Sequence, residues 1–492
     1  MTMRKACILV CMSVLPPNLM CTAIKAGIVF FVLAVSCAEN GSQDTGGMDS
    51  GVDAGIDGSG NDKEDGADAG QDAAEDGADS VPAVLDGPPL VSGTSDSGFS
   101  LNAVIMRGDP DEVLLRYRKE SDSAWKEAED GTARDHDVIV WLLKGLEAGT
   151  VYEYQLVQKP ARSHESMYSG EIVTAINAGG QFSFDLISDT HIYVNNPGET
   201  GETLQKVVGN MEEDMPDFVI HLGDILDFHD FGFNEPAPER ALTGAGYMHY
   251  RRIMGSWLGR ITHFSVIGNW DGENGDFTLE EIERSRSQRI KYMPGPGPET
   301  YPQGGSEYGD YYAFEWGDAL FVVLNVMTYT PTGHYLYDAP GVLEDWTLGD
   351  RQLLWLENTL QNDSSKWKFI FIHHAVGGNG GNEADSAYGR GGGRAAYVGE
   401  QAVVHDLMQQ HGVQIFFCGH DHVFYDMTVD GIHYTLPGSA GAPWKFSTLE
   451  TGYPEGEYME DSGHAKVTVG PESVKVEFIN LEGRVIHSYT VE

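Results

Sequence analysis

Phe182-Ser183-Phe184-Asp185-Leu186-Ile187-Ser188-Asp189-Thr190-His191 alternates large apolar with small or polar residues for five positions, adds Ile187, then breaks into four polar side chains ending in Asp-x-His. The alternation is that of a half-buried β-strand. The break puts a carboxylate and an imidazole at the strand's end. The same event recurs along the chain: residues 218–222 run into Gly223-Asp224, residues 264–267 into Gly268-Asn269, residues 368–372 into His373-His374, and residues 414–418 into Gly419-His420-Asp421-His422. Any one of these is weak, since Gly-Asp after a strand is usually a turn and a lone buried histidine is usually a hydrogen-bonded core residue. Five β-rich runs, each stopping where a metal-ligand residue type begins, are a stronger signal. In open α/β sheets the carboxyl ends of the strands are where sites assemble.

In this order the motifs Asp-x-His, Gly-Asp, Gly-Asn, His-His and Gly-His-x-His resemble the pattern of the calcineurin-like metallophosphoesterases, over roughly residues 180–490. The resemblance implies an α/β domain, a two-sheet α/β/α sandwich with helices outside. It also implies a dinuclear centre of two divalent or trivalent transition-metal ions. One ion would take Asp189, His191, Asp224 and His422, and the other Asp224, Asn269, His373 and His420, with Asp224 bridging. His373 fits the pattern as the ligand of its pair, with His374 the alternative. Mixed His, Asp and Asn donors are intermediate in softness, so Fe, Zn, Mn and similar ions all remain candidates. The implied reaction is hydrolysis of a phosphomonoester or phosphodiester by a hydroxide bridging the two ions, with no covalent enzyme intermediate.

The chain departs from that pattern in two respects. Where the family has a histidine after Gly-Asn that contacts the phosphate and protonates the leaving group, this sequence has Trp270. Loss of a general acid typically costs about 10² to 10⁴ in rate for a poor leaving group, which implies either activated substrates or a substitute acid. His229 and His374 are the nearest candidates, and His334 a more distant one. Purple acid phosphatases, a branch of the family, have a tyrosine where Asp227 stands and a glycine where His191 stands, so no iron-tyrosinate is expected. The loop after His373 is glycine-rich and carries Arg390 and Arg394. Arginine forks suit phosphate oxygens, and a solvated surface loop is the plainer alternative.

Ahead of this region, residues 1–37 have the pattern of an export signal. Lys25 precedes an uncharged apolar run, 26–36, that ends at Cys37 and is too short for a comfortable spanning helix. It resembles a bacterial lipoprotein signal with Cys37 lipidated, an ordinary secretory signal being the alternative, and Met20 is an alternative start. The expectation is an exported protein, at the outer membrane or cell surface if lipidated and otherwise periplasmic or secreted. Residues 38–80 are Gly, Asp, Ala and Ser with few apolar side chains, an acidic segment unable to offset its ordering entropy, and are expected as a tether.

Residues 81–178 change to short alternating strands at 99–105, 113–117, 137–143 and 152–155. They resemble an all-β fibronectin type III-like sandwich of the kind purple acid phosphatases carry in front, with Leu146 at the corner and Tyr152 supplying the tyrosine-corner hydroxyl. Residues 179–492 complete the metallophosphoesterase domain. Helical spacing is expected at 201–214, 247–259, 348–360 and 399–410, strands at 311–325 and 466–479, and a closing hairpin at 483–491.

The formal net charge of -44 argues against general binding of nucleic acid or anionic lipid. The resemblance implies a small phosphoester as the partner, with membrane contact expected only through lipidated Cys37. Of five cysteines, only Cys418 follows residue 37, so disulfides do not hold the fold. The competing function is a metal-binding surface or scaffold protein with weak or no turnover, for which Trp270 is the motive.

Overall fold

The structure, a computed structural model, describes residues 82–134, 136–159, 166–194, 200–227, 240–273, 279–327, 347–373, 400–445 and 456–492. The expectations for residues 1–81 and for His229, His334, His374, Arg390 and Arg394 fall outside these residues.

Residues Phe182–Ile187 form the strand the alternation predicts. Phe182, Phe184 and Leu186 face one way into a core of aromatic rings, while Ile187 joins a second core on the other face. This strand sits inside a six-stranded sheet of order Thr262–Ser265, Phe218–His221, Phe182–Ile187, Gly463–Val469, Val474–Asn480 and Val485–Val491. The first three run parallel and the last three continue antiparallel. A seven-stranded sheet lies opposite, in the order Tyr312–Trp316, Ala319–Val323, Trp367–Ile372, Ile415–Cys418, Ile432–Pro437, Phe424–Val429 and Glu457–Met459.

The core between the sheets is mainly phenylalanine. Phe184 stacks on Phe218 at 5.1 Å and meets Phe321 edge-on at 5.3 Å, tying the two sheets directly. The outer faces are covered by helices. Leu204, Val207 and Met211 of Glu202–Asp214, with Tyr247 and Tyr250 of Arg240–Met254, cover the first sheet. Leu356 and Leu360 of Gly349–Asn362, with Val404 and Met408 of Glu400–His411, cover the second. Two sheets with helices outside both is the expected architecture.

Residues 247–259, expected as one helix, divide instead. The α-helix Arg240–Met254 starts earlier and gives way to a 3-10 segment, Gly255–Gly259, because Gly255 adopts φ 59°. The helix Leu279–Tyr292 is absent from the expectation. Its sequence is mostly charged and polar, so the apolar period is faint, and the buried Arg289–Glu273 pair at 2.5 Å helps hold it. Residues 483–491 are not a hairpin in themselves. They supply one strand, which pairs back on Val474–Asn480.

The N-terminal region is all-β, with a five-stranded and a four-stranded sheet enclosing Phe99, Leu101, Leu115, Trp141, Tyr154 and Leu156. The backbone N–H of Glu147 donates to the Tyr152 hydroxyl at 2.9 Å, the tyrosine-corner contact. This region packs onto the two-sheet domain, with buried Arg251 among the contacts. Its guanidinium donates to Asn102 Oδ1 at 2.7 Å, Tyr292 O at 2.9 Å and Pro88 O at 3.0 Å.

Candidate metal centre

The turns leaving the strands of both sheets meet at one place. Asp189, His191, Asp224, His420 and His422 all take left-handed backbone conformations, with φ between 47° and 75°, and non-glycine residues rarely do so. Each such conformation costs on the order of 1–3 kcal/mol and persists only where the surroundings enforce it. Here the turns enforce one another. The Asp189 N–H donates to Gly223 O at 3.0 Å, His191 N–H to Asp224 O at 3.0 Å, and Gly419 N–H to His373 O at 3.0 Å. The glycines allow this approach. A Cβ at Gly268 would overlap the Asp224 backbone nitrogen and carboxylate, and one at Gly419 would overlap the Ser188 hydroxyl.

Two groups of ligand atoms result, with the atoms of each within 4.8 Å of one another: Asp189, His191, Asp224 and His422 form one, and Asp224, His373 and His420 the other. His422 Nε2 is 3.4 Å from Asp189 Oδ1 and 3.2 Å from His191 Nε2. In the second group Asn269 Oδ1 lies 3.0 Å from His373 Nε2 and 2.8 Å from His420 Nδ1. Asp224 Oδ2 is 3.6 Å from His191 Nε2 and 3.2 Å from His373 Nε2. Every sequence-predicted ligand among the described residues is therefore at the centre.

The donor set fits metal ions. His191 Nδ1 donates to Asp227 Oδ2 at 2.8 Å, His373 Nδ1 to Leu222 O at 2.7 Å, and His422 Nδ1 to Trp444 O at 3.0 Å. That leaves the three Nε2 atoms as lone-pair donors turned into the centre, the usual way protein groups orient ligating histidines. Asp224 Oδ2 is buried and accepts no hydrogen bond. A buried carboxylate oxygen is costly to leave unpaired, and a cation between the two groups satisfies it.

Charge is concentrated here. Burial favours neutral Asp189, yet His422, His373 and His191 hold its carboxyl below the usual range. Burial likewise opposes the His373 imidazolium, but Asp224 and Asp189 push that ring up to about 9. For His422 burial dominates and its value falls. Burial lowers Lys445 to about 8, with Asp189 and Asp461 opposing.

Four supporting groups have no role in the sequence reading. Asp227 orients His191, and the carbonyls of Leu222 and Trp444 orient His373 and His422. The fourth, Asp271, accepts from the N–H groups of Gly268 at 2.8 Å, Leu226 at 3.0 Å and Asp224 at 3.1 Å, binding two of the turns together. The Trp444 ring also stands edge-on to His191 at 4.9 Å and His422 at 5.1 Å. Trp270 is half-buried, and its backbone N–H donates to Asp224 Oδ1 at 2.7 Å. The position after Gly-Asn thus still supports the Asp224 carboxylate while lacking an imidazole.

The chain is similar to known proteins in sequence pattern and in fold. The family model described as calcineurin-like phosphoesterase matches residues 182–424, from the first predicted strand to just past His422. The solved structure of PhoD superposes with a TM-score of 0.60 at 15% identity, covering 82% of this chain and 88% of that one. GAP50, the anchor in the inner membrane complex of Plasmodium, is 14% identical, covers 63% of this chain and 89% of its own, and has a TM-score of 0.38. No curated protein matches the sequence. With its motifs gathered in one buried centre and an all-β region ahead of it in a PhoD-like fold, the chain matches the calcineurin-like phosphoesterase family over residues 182–424.

Proposed function

We propose that this protein is a dinuclear metal-dependent phosphoesterase, hydrolysing phosphomonoesters or phosphodiesters outside the cytoplasm. The observation that carries the reading is Asp224 Oδ2, a buried oxygen without a hydrogen bond that faces both ligand groups at once. One group would hold an ion with Asp189, His191, Asp224 and His422, and the other with Asp224, Asn269, His373 and His420. Two such ions, when bound, hold a phosphate, lower the pKa of water and stabilise the charge of an in-line displacement.

The chain's own residues do the rest. Asp227, Leu222 O and Trp444 O fix the tautomers, so the ring nitrogens stay aimed without reorganisation. Asp271 and the glycine contacts hold the turns that set their spacing. Trp270 offers an apolar ring where a proton donor would assist an alkoxide leaving group, which favours esters of acidic alcohols and phenols. Among the described residues no histidine replaces it, and His229 and His374 remain the proposed alternatives. Arg390 and Arg394 are proposed to bind substrate phosphate oxygens. Mixed nitrogen and oxygen donors support Fe, Zn or Mn.

The apolar run 26–36 and Cys37 support an exported, envelope-tethered protein, and fractionation of cells expressing Cys37→Ser against wild type tests the tether. The test of function is turnover of an aryl phosphomonoester and an aryl phosphodiester by the full-length chain loaded in turn with Mn, Zn, Fe and Co. Hydrolysis abolished by chelator is expected. Absence of turnover with every ion, in protein shown to hold two metals, would favour the scaffold reading that Trp270 motivates.

A further inference from the structure

The segment after the Ile432–Pro437 strand is laid directly on the Asp189–His191 turn. Ala440 N–H donates to Ser188 O at 2.8 Å and Ala442 N–H to Asp189 O at 3.0 Å, while the Ser439 hydroxyl donates to Asp189 O at 3.1 Å. Gly441 lies so close that a Cβ there would overlap the Thr190 carbonyl. The next ring, Trp444, contacts two ligand histidines and its carbonyl orients one of them. Lys445 follows. Its half-buried ammonium donates to Ala442 O at 3.1 Å and lies within electrostatic range of the Asp189 carboxylate. An ammonium has three N–H donors, and that contact uses one. A cation is therefore fixed at the rim of the first ligand group by backbone already bonded to the ligand turn. Trp270 means the site has no imidazole at its usual phosphate-contacting position.

We infer that Lys445 binds a non-bridging oxygen of a terminal phosphate, making the site selective for dianionic phosphomonoesters over diesters. The inference rests on the phosphoesterase reading and deepens it. A phosphomonoester dianion offers three non-bridging oxygens and two charges, so one oxygen remains for the lysine when two face the Asp224 centre. A diester offers two such oxygens and one charge, and esterification removes the acceptor.

The experiment compares full-length wild type, Lys445→Met and Lys445→Arg, each loaded with Mn and analysed for metal content. Two readouts are taken: kcat/KM for p-nitrophenyl phosphate and bis(p-nitrophenyl) phosphate, and calorimetric binding of inorganic phosphate. A charge-assisted hydrogen bond to phosphate leads us to expect Lys445→Met to lower monoester kcat/KM by about 10- to 100-fold and to weaken phosphate similarly. Diester kcat/KM should change less than about 3-fold on the same scale. Metal content should be unchanged, and Lys445→Arg should recover most of the loss. Unaltered phosphate affinity, an equal fall with both esters, or loss of metal in Lys445→Met would each overturn the assignment. If wild type turns over neither ester with Mn, nor with Zn, Fe or Co in its place, the phosphoesterase reading fails, and phosphate binding by wild type against Lys445→Met still decides the role of the lysine.

Discussion

Asp224 belongs to both ligand groups through one oxygen, and its backbone N–H is itself held by Asp271. Asp224→Asn replaces that anionic oxygen with a neutral amide. The expected outcome is about one bound metal per chain in place of two, read by elemental analysis of purified protein, and retention of both metals would show that Asp224 does not bridge. Trp270→His restores a proton donor beside the centre and should raise activity toward alkyl esters more than toward aryl esters, as expected for general-acid assistance of poor leaving groups. Equal gains would show that position 270 does not face the leaving group. The candidate ligands that the structure gathers were legible in the sequence because their side-chain types recur at strand ends. Their supports were not. Leu222 and Trp444 act through carbonyls that any residue possesses, and Asp227 acquires its role only when a turn brings His191 within 2.8 Å.

At the scale of elements, strand alternation was readable because each strand divides its residues between an aromatic core and a helix-covered face. The helix Leu279–Tyr292 was not, since its buried face mixes Ile282 with Ser285, Gln288 and Arg289 and so shows no clear apolar period. The strand Thr262–Ser265 that leads to Asn269 carries a further consequence in His263, which accepts a hydrogen bond from the Tyr250 hydroxyl at 2.8 Å. Burial, reinforced by Arg251, lowers this histidine from 6.5 to about 3. Between those values the unfolded chain holds a proton that the folded chain lacks. Stability therefore falls as pH drops from about 6.5 toward about 3, by at most about 1.4 kcal/mol per pH unit for this one group. Urea unfolding of chelator-treated protein from pH 7 to pH 4 reads the slope, and His263→Gln should flatten it. An unchanged slope would assign the acid sensitivity to other groups.

On the scale of the whole molecule, the joint between the all-β region and the two-sheet domain includes a buried cation, Arg251, that has carbonyl and amide oxygens for partners. Arg251→Met would leave Asn102 Oδ1, Tyr292 O and Pro88 O without their donor. At about 1–3 kcal/mol for each buried group left unpaired, a loss of several kcal/mol is expected, measured by calorimetry; a loss below about 1 kcal/mol on the same scale would show that the joint lies elsewhere. This joint had no sequence signature, because Arg251 reads as an ordinary polar position on an amphipathic helix. The sandwich itself was readable from its strand spacing and from Tyr152. Cys418 offers a way to watch the assembly breathe. It is the lone thiol after residue 37, buried in the strand that ends beside Gly419 and His420, and burial pushes its ionisation well up. Alkylation at this sulfur must therefore wait for the sheet to open, and its rate under native conditions is a clock for that opening. Metal binding, by stabilising only the closed form, should slow the clock in proportion to occupancy, and peptide mapping of the modified cysteine would show whether it does.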